Sequence, residues 1–131
     1  NKLRVVDTVL QSTAVFIANK QSLKNIDKRE KIYDILTLLK GVVEADSKLH
    51  IFVNVKKKNL DELLFRLPAL KSPTISPLSN SNWFSINTVI DKSEFFKLLP
   101  TLRKLAQGLV VHEPQQILSL EDIGREENNG R

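Results

Sequence analysis

The sequence predicts an α+β fold, on three observations. Residues 49–55 (LHIFVNV) and 83–90 (WFSINTVI) alternate apolar and polar side chains with period two. Three segments of helical period are each introduced by Asp or Asn with Glu three positions later, the spacing of a capping box. The composition is that of an ordinary globular domain: 131 residues, 41% hydrophobic, 27% charged, with four Gly and five Pro.

Residues 3–8 (LRVVDT) and 12–18 (STAVFIA) are short runs rich in β-branched residues, the second nearly continuously apolar, and predict two buried strands. Residues 19–27 read as a polar loop. Asp27 with Glu30 then opens a helix over about 28–45, with Ile32, Ile35, Leu36, Leu39, Val42 and Val43 on one stripe. The alternation at 49–55 predicts a strand with Leu49, Ile51, Val53 and Val55 on one face. Asn59 with Glu62 opens a short helix that Pro68 stops. The stretch 71–81 holds two prolines and predicts at most a short edge strand. The alternation at 83–90 is a further strand, and Asp91 with Glu94 opens a helix to about Leu105. Gly108 is expected to end that helix, before a last strand at 109–113.

The order from 48 to 116 is therefore β-α-β-β-α-β, a ferredoxin-like arrangement of an antiparallel sheet with two helices on one face. At about 70 residues such a domain is only marginally stable alone, so its uncovered sheet face or edge is expected to meet a partner. Two strands and one helix cannot close a core, so residues 1–46 read as the tail of a preceding α/β domain. Residues 119–131 read as a polar, disordered tail. A first residue other than Met suggests a piece of a longer protein.

Net charge is +5, distributed unevenly. Residues 120–131 carry −2 and the rest of the chain +7. Two basic patches stand out, Lys20, Lys24, Lys28, Arg29 and Lys31, and the run Lys56–Lys58. Neither interleaves with aromatics along the chain, as single-strand-binding surfaces do. Solvated helix starts explain them better than nucleic acid does, a rival that would show steep salt dependence. No apolar run reaches the ~18 residues of a membrane span. Absence of Cys removes disulfides and thiolate sites and fits a reducing cytoplasm.

No nucleophile-elbow, phosphate-loop or dinucleotide glycine motif occurs. His50 and His112 lie on the first and last predicted strands, and two His without a third ligand make a poor metal site. No carboxylate pair is spaced for acid/base work. The segment Leu70-Lys71-Ser72-Pro73-Thr74 is more informative. Its hydroxyls and exposed N–H groups at a Pro-bent edge can hold a small zwitterion, with the Asn54 amide as a further donor and acceptor.

Over nearly all of residues 1–118 the chain resembles the long-form ATP phosphoribosyltransferase family. The most specific matches are VFIANKQSL, LPALKSPTISPL, the single Trp83 after a short loop, and a closing helix-Gly-strand. The resemblance implies an enzyme that condenses ATP with phosphoribosyl pyrophosphate, using Mg²⁺, in the first step of histidine biosynthesis. It implies two periplasmic-binding-protein-like catalytic domains, then a ferredoxin-like regulatory domain that binds L-histidine, in a homo-oligomer from dimer to hexamer. Residues 1–46 would then end the catalytic part and 47–118 would be the regulatory domain. No catalytic residue and no metal ligand would lie in this span.

The histidine pocket, formed between regulatory domains, would use Asn54, Leu70, Ser72, Thr74 and Gly108. Neither nucleic acid nor membrane would be a partner. The chain departs from the family where relatives often have Pro and it has Lys56–Lys58, where some have Asp and it has Asn54, and in Pro100. The rival from another class is a stand-alone amino-acid or nucleotide sensor on the same fold, regulating a separate protein.

Overall fold

A computed structural model describes residues 4–68 and 72–120. The elements are α1 (Lys20–Lys24), α2 (Ile26–Asp46), β1 (Lys48–Lys56), α3 (Lys57–Arg66), β2 (Thr74–Pro77), β3 (Trp83–Asp91), α4 (Lys92–Leu105) and β4 (Ala106–His112). From β1 onward this is the expected ferredoxin-like order. The sheet runs β2-β3-β1-β4, and every neighbouring pair is antiparallel.

Period-two alternation decides the core. Ile51, Val53 and Val55 of β1 are fully buried, as are Ile86 and Ile90 of β3, and Leu49 nearly so. They face Leu63 of α3 and Leu98, Leu102 and Leu105 of α4, which recur at helical spacing. β1 passes into α3 with no loop, because Lys56 is both the last strand residue and the N-cap. Pro77 ends the edge strand β2, where a missing N–H costs no ladder bond. Pro100 lies within α4 on an exposed face, one turn after the exposed Phe96 whose carbonyl it leaves unpaired within the helix.

Several local expectations change. The two strands expected at 3–8 and 12–18 are not formed: residues 4–19 are irregular, and Val5, Val6, Val9 and Ile17 are exposed. A strand exists only by pairing, and none of the sheet's four strands comes from this part of the chain. The loop expected at 19–27 contains α1 and the start of α2. Asn25, not Asp27, caps α2, accepting the Lys28 N–H at 3.0 Å. Asn59 is not a cap either; α3 starts two residues earlier, and the Asn59 amide donates instead to the Leu105 carbonyl at 2.9 Å. That carbonyl is one of the unpaired acceptors at the end of α4. Gly108 does not end α4. The helix stops at Leu105 with Ala106 in extended conformation, and Gly108 lies inside β4.

The chain divides into two units between Leu36 and Thr37, within α2. In the first unit Ile32 and Leu36 of the predicted stripe are half-buried while Ile35 is exposed; in the second, Leu39, Val42 and Val43 are exposed. The buried positions of α2 are Gly41 and Ala45. After β4 the chain returns to this helix, where the Ile117 N–H donates to the Gly41 carbonyl at 2.9 Å. A Cβ at Gly41 would collide with Leu118 Cδ2, so glycine here permits the close approach. Of the tail expected at 119–131, only Ser119 and Leu120 lie among the described residues.

At the start of the sheet, the Lys48 ammonium donates to Asp91 Oδ1 at 2.6 Å and lies 3.4 Å from Glu44 Oε1. Its side chain is only 11% exposed. Asp91 is the N-cap residue of α4, but its carboxylate serves Lys48 rather than the helix N–H groups. The Lys92 N–H donates to the Ser47 carbonyl at 2.9 Å, so the end of α2 is tied to the β3–α4 junction by backbone as well. The Asp91 hydrogen bond, reinforced by Glu44 and opposed by desolvation, raises the Lys48 pKa above its ordinary value.

Ile51→Ala is expected to lower unfolding free energy by about 3 kcal/mol in urea titration, whereas Phe65→Ala, at an exposed position, changes it by about 0.5 kcal/mol or less. Because the folded-state pKa of Lys48 is raised, its contribution is complete below the ordinary lysine value of about 10.5 and is lost as pH rises through the folded pKa. The stability gap between wild type and Lys48→Met, read from urea midpoints, is therefore expected to be constant at neutral pH and to shrink in strong alkali.

Candidate functional site

Both helices of the ferredoxin-like unit pack on one face of the sheet, and the period of two sends the alternate side chains to the other. That open face carries His50, Phe52, Asn54 and Lys56 from β1, and Trp83, Ser85 and Asn87 from β3. Thr74 and Ser76 join it from β2, and Gly108, Val110 and His112 from β4. Register then fixes the neighbours. One row across the sheet reads Ser76, Ser85, Asn54, Gly108, and the next reads Thr74, Asn87, Phe52, Val110.

Asn54 and Gly108, remote in sequence, are direct cross-strand partners. Immediately beyond them Val55 pairs with Ala106, so Gln107 is the extra residue of a β-bulge. A Cβ at Gly108 would meet Asn54 at 3.6 Å and 3.8 Å, ordinary contact, and its backbone is not left-handed. Neither conformation nor packing within this chain demands glycine there.

Thr74 lies on the same open face two strands from Asn54 and two residues along, a separation of roughly 12 Å between backbones. Ser72 is exposed, two residues before β2. Leu70 lies outside the described residues. The pairing thus brings Asn54 and Gly108 together, and sets Thr74 across a gap from them rather than in contact.

A second group was invisible to sequence reasoning. His50 and His112, which the sequence leaves without a spatial relation, are opposite each other in the β1–β4 register, ring centroids 6.5 Å apart. Phe52 meets both, tilted against His50 at 4.6 Å between ring centroids and edge-on to His112 at 5.9 Å. His50 Nε2 donates to Asn87 Oδ1, leaving Nδ1 as acceptor in the neutral ring. The only signal that could have found the pair is the shared parity of their positions on two strands that a ferredoxin-like order makes neighbours. Among the described residues no group of three or more His, Cys, Asp or Glu side chains could hold a metal ion.

Fold and site together define a ferredoxin-like module that presents a polar row and an imidazole pair on an uncovered sheet, with no nucleophile–base constellation among the described residues. A family profile described as HisG, C-terminal domain, matches residues 45–114, and the chain belongs to this family. It is 43% identical over 114 residues to an ATP phosphoribosyltransferase of Solibacter usitatus, covering 87% of this chain and 39% of that relative. It is 37% identical over 119 residues to the ATP phosphoribosyltransferase of Chlorobaculum parvum, covering 90% of this chain and 40% of the relative. The corresponding protein of Thermodesulfovibrio yellowstonii is 39% identical over 119 residues, with 90% and 41% covered. The chain thus spans about two fifths of the length of these curated relatives. No helix among the described residues is long and apolar enough to cross a membrane.

Because nothing in this chain requires glycine at 108, Gly108→Ala is expected to leave stability unchanged or to raise it by up to about 1 kcal/mol through reduced unfolded-state entropy, measured by urea unfolding.

Proposed function

We propose that this chain is the regulatory end of an ATP phosphoribosyltransferase, binding L-histidine as a feedback inhibitor of the first step of histidine biosynthesis. The whole protein would condense ATP with phosphoribosyl pyrophosphate to phosphoribosyl-ATP and pyrophosphate in the cytoplasm. Residues 1–46 would close the catalytic part, 47–118 would form the regulatory module and 119–131 a polar tail. The Mg²⁺ of that reaction would assist departure of pyrophosphate and be held by the catalytic part, since the described residues offer it no ligand set.

The observation that carries this reading is the Asn54–Gly108 pair at a β-bulge on an open sheet face, in a chain whose family match spans 45–114. Asn54 offers a donor and an acceptor for an amino acid's ammonium and carboxylate. Gly108, with no need of its own to be glycine, leaves room for a ligand or a second backbone to approach. Thr74 and Ser72 supply hydroxyls near the opposite edge. β2 and β4 are both edge strands, so a second copy has ladder groups to meet. A pocket completed by a neighbouring copy fits the distance between Asn54 and Thr74.

Histidine would act by binding one arrangement of the oligomer, from dimer to hexamer, more tightly than another, with coupling of about 1–3 kcal/mol. The Lys48 joint between α2 and the sheet is a rigid route for that coupling.

Calorimetric titration of L-histidine into the protein, with light-scattering mass, tests this. Saturable binding by an oligomer is expected. Asn54→Ala and Thr74→Ala are each expected to weaken it roughly tenfold, about the worth of a hydrogen bond to a charged group. Unchanged affinity in both variants would discard the pocket.

A further inference from the structure

The run Lys56-Lys57-Lys58 is surplus to the histidine reading. It interrupts the strand-to-helix junction with three cations at a helix N-terminus, where the macrodipole disfavours them, and no acidic residue stands in the first turn of α3. None of the three forms an ion pair among the described residues, and Glu62 on the same helix is engaged by Arg66 at 3.1 Å. Along the chain no aromatic accompanies them. In the fold, register sets Trp83 directly opposite Lys56, with the Lys56 ammonium 5.2 Å from the centre of the indole.

The two lie in the wall of a cavity of about 660 Å³, completed by Lys57, Lys58, Asn80 and Asn82. That volume is within the range of small-molecule sites. The wall is held in place by the backbone. The Asn82 carbonyl accepts the Lys57 N–H at 2.8 Å, the Asn80 carbonyl accepts the Trp83 N–H at 2.9 Å, and the Asn80 side chain accepts the Asn82 N–H at 3.1 Å. The β2–β3 turn is thereby pinned to the start of α3, and Trp83 is not free to drift from the lysines.

We propose that this cavity binds a nucleoside phosphate, with the base taking the place of the Lys56 ammonium over the Trp83 indole and the phosphates on Lys57 and Lys58. Lysine ammonium groups supply charge for phosphate oxygens, and the indole offers a π-face that any base can use. Trp83 and the two lysines line the same cavity. Among the described residues Trp83 is the one aromatic that lines the cavity, which therefore suits a mononucleotide better than a strand. This site shares no residue with the Asn54–Gly108 pair, whose row adjoins it on the open face, and it stands whether or not that pair holds histidine.

Trp83 is the sole tryptophan, so its fluorescence reports this cavity alone. ADP titrated into the 131-residue chain in the absence of histidine is expected to quench it saturably, with Kd of about 1 mM or tighter. Adenosine, which lacks phosphate, and inorganic pyrophosphate, which lacks a base, are each expected to bind roughly tenfold more weakly. Lys57→Glu with Lys58→Glu, substitutions that suit a helix start and so preserve folding, is expected to abolish the ADP response; Lys57→Gln with Lys58→Gln is expected to weaken it. Absence of a saturable response to ADP, or a response that survives the Glu pair, overturns the proposal. So does an adenosine response equal to that of ADP. Tighter quenching by a single-stranded oligonucleotide with steep salt dependence would replace it with a nucleic-acid surface.

Discussion

β1 lies between β3 and β4 and is antiparallel to both, so both edges of its backbone are committed to ladder hydrogen bonds. Its position leaves no freedom of register. A slip by one residue would turn Ile51, Val53 and Val55 out of the core and bring His50, Phe52, Asn54 and Lys56 into it. The core and the open face are thus two consequences of a single constraint. α3 and α4 cover one set of side chains, and the other set is arrayed, in fixed rows, on a sheet face that no helix of this unit covers.

The ends of that strand are joined to the rest of the chain in different ways. At its start, Lys48 binds Glu44 of α2 and Asp91 at the β3–α4 junction, and Ser47 accepts from Lys92. A buried ammonium held by two carboxylates makes this joint stiff, and partial exposure of the carboxylates moderates its desolvation cost. At the other end, the strand runs into α3 without a loop, and the β2–β3 turn closes on the junction through Asn82. The C-terminal end of α2 is therefore tied to β1 and β3 together, while the far end presents a cavity walled by lysines and one indole.

The open face has three chemically distinct regions. Imidazoles and a phenyl ring cluster at the His50–His112 end, amides and hydroxyls occupy the middle rows, and cations flank Trp83 at the far end. The family profile that matches 45–114 is described as a C-terminal domain, and the chain spans about two fifths of the length of its curated relatives. The exposed valines of residues 4–18 and the exposed stripe of α2 are apolar surfaces of the kind that protein contacts cover.

Much of the fold was legible because its signals are local. Period two in 49–55 and 83–90, helical period in 92–105, and the prolines around 73–77 each act over a few residues, and the ferredoxin-like order follows from their sequence. Caps were read less well: Asp27, Asn59 and Asp91 have capping spacing, yet Asn25 takes one role and tertiary partners claim Asn59 and Asp91. The runs 3–8 and 12–18 have strand composition but form no strand, since hydrogen-bond partners cannot be read from composition. The candidate residues Asn54, Ser72, Thr74 and Gly108 were found by type and resemblance, but only the structure made Asn54 and Gly108 neighbours and set Thr74 apart. His50 with His112 and Lys56 with Trp83 are pairs of the same kind. The sequence by itself determined which faces each segment has, because periodicity is a property of one strand or helix. Which side chains meet across those faces was decided by the tertiary structure, because strand register couples residues tens of positions apart.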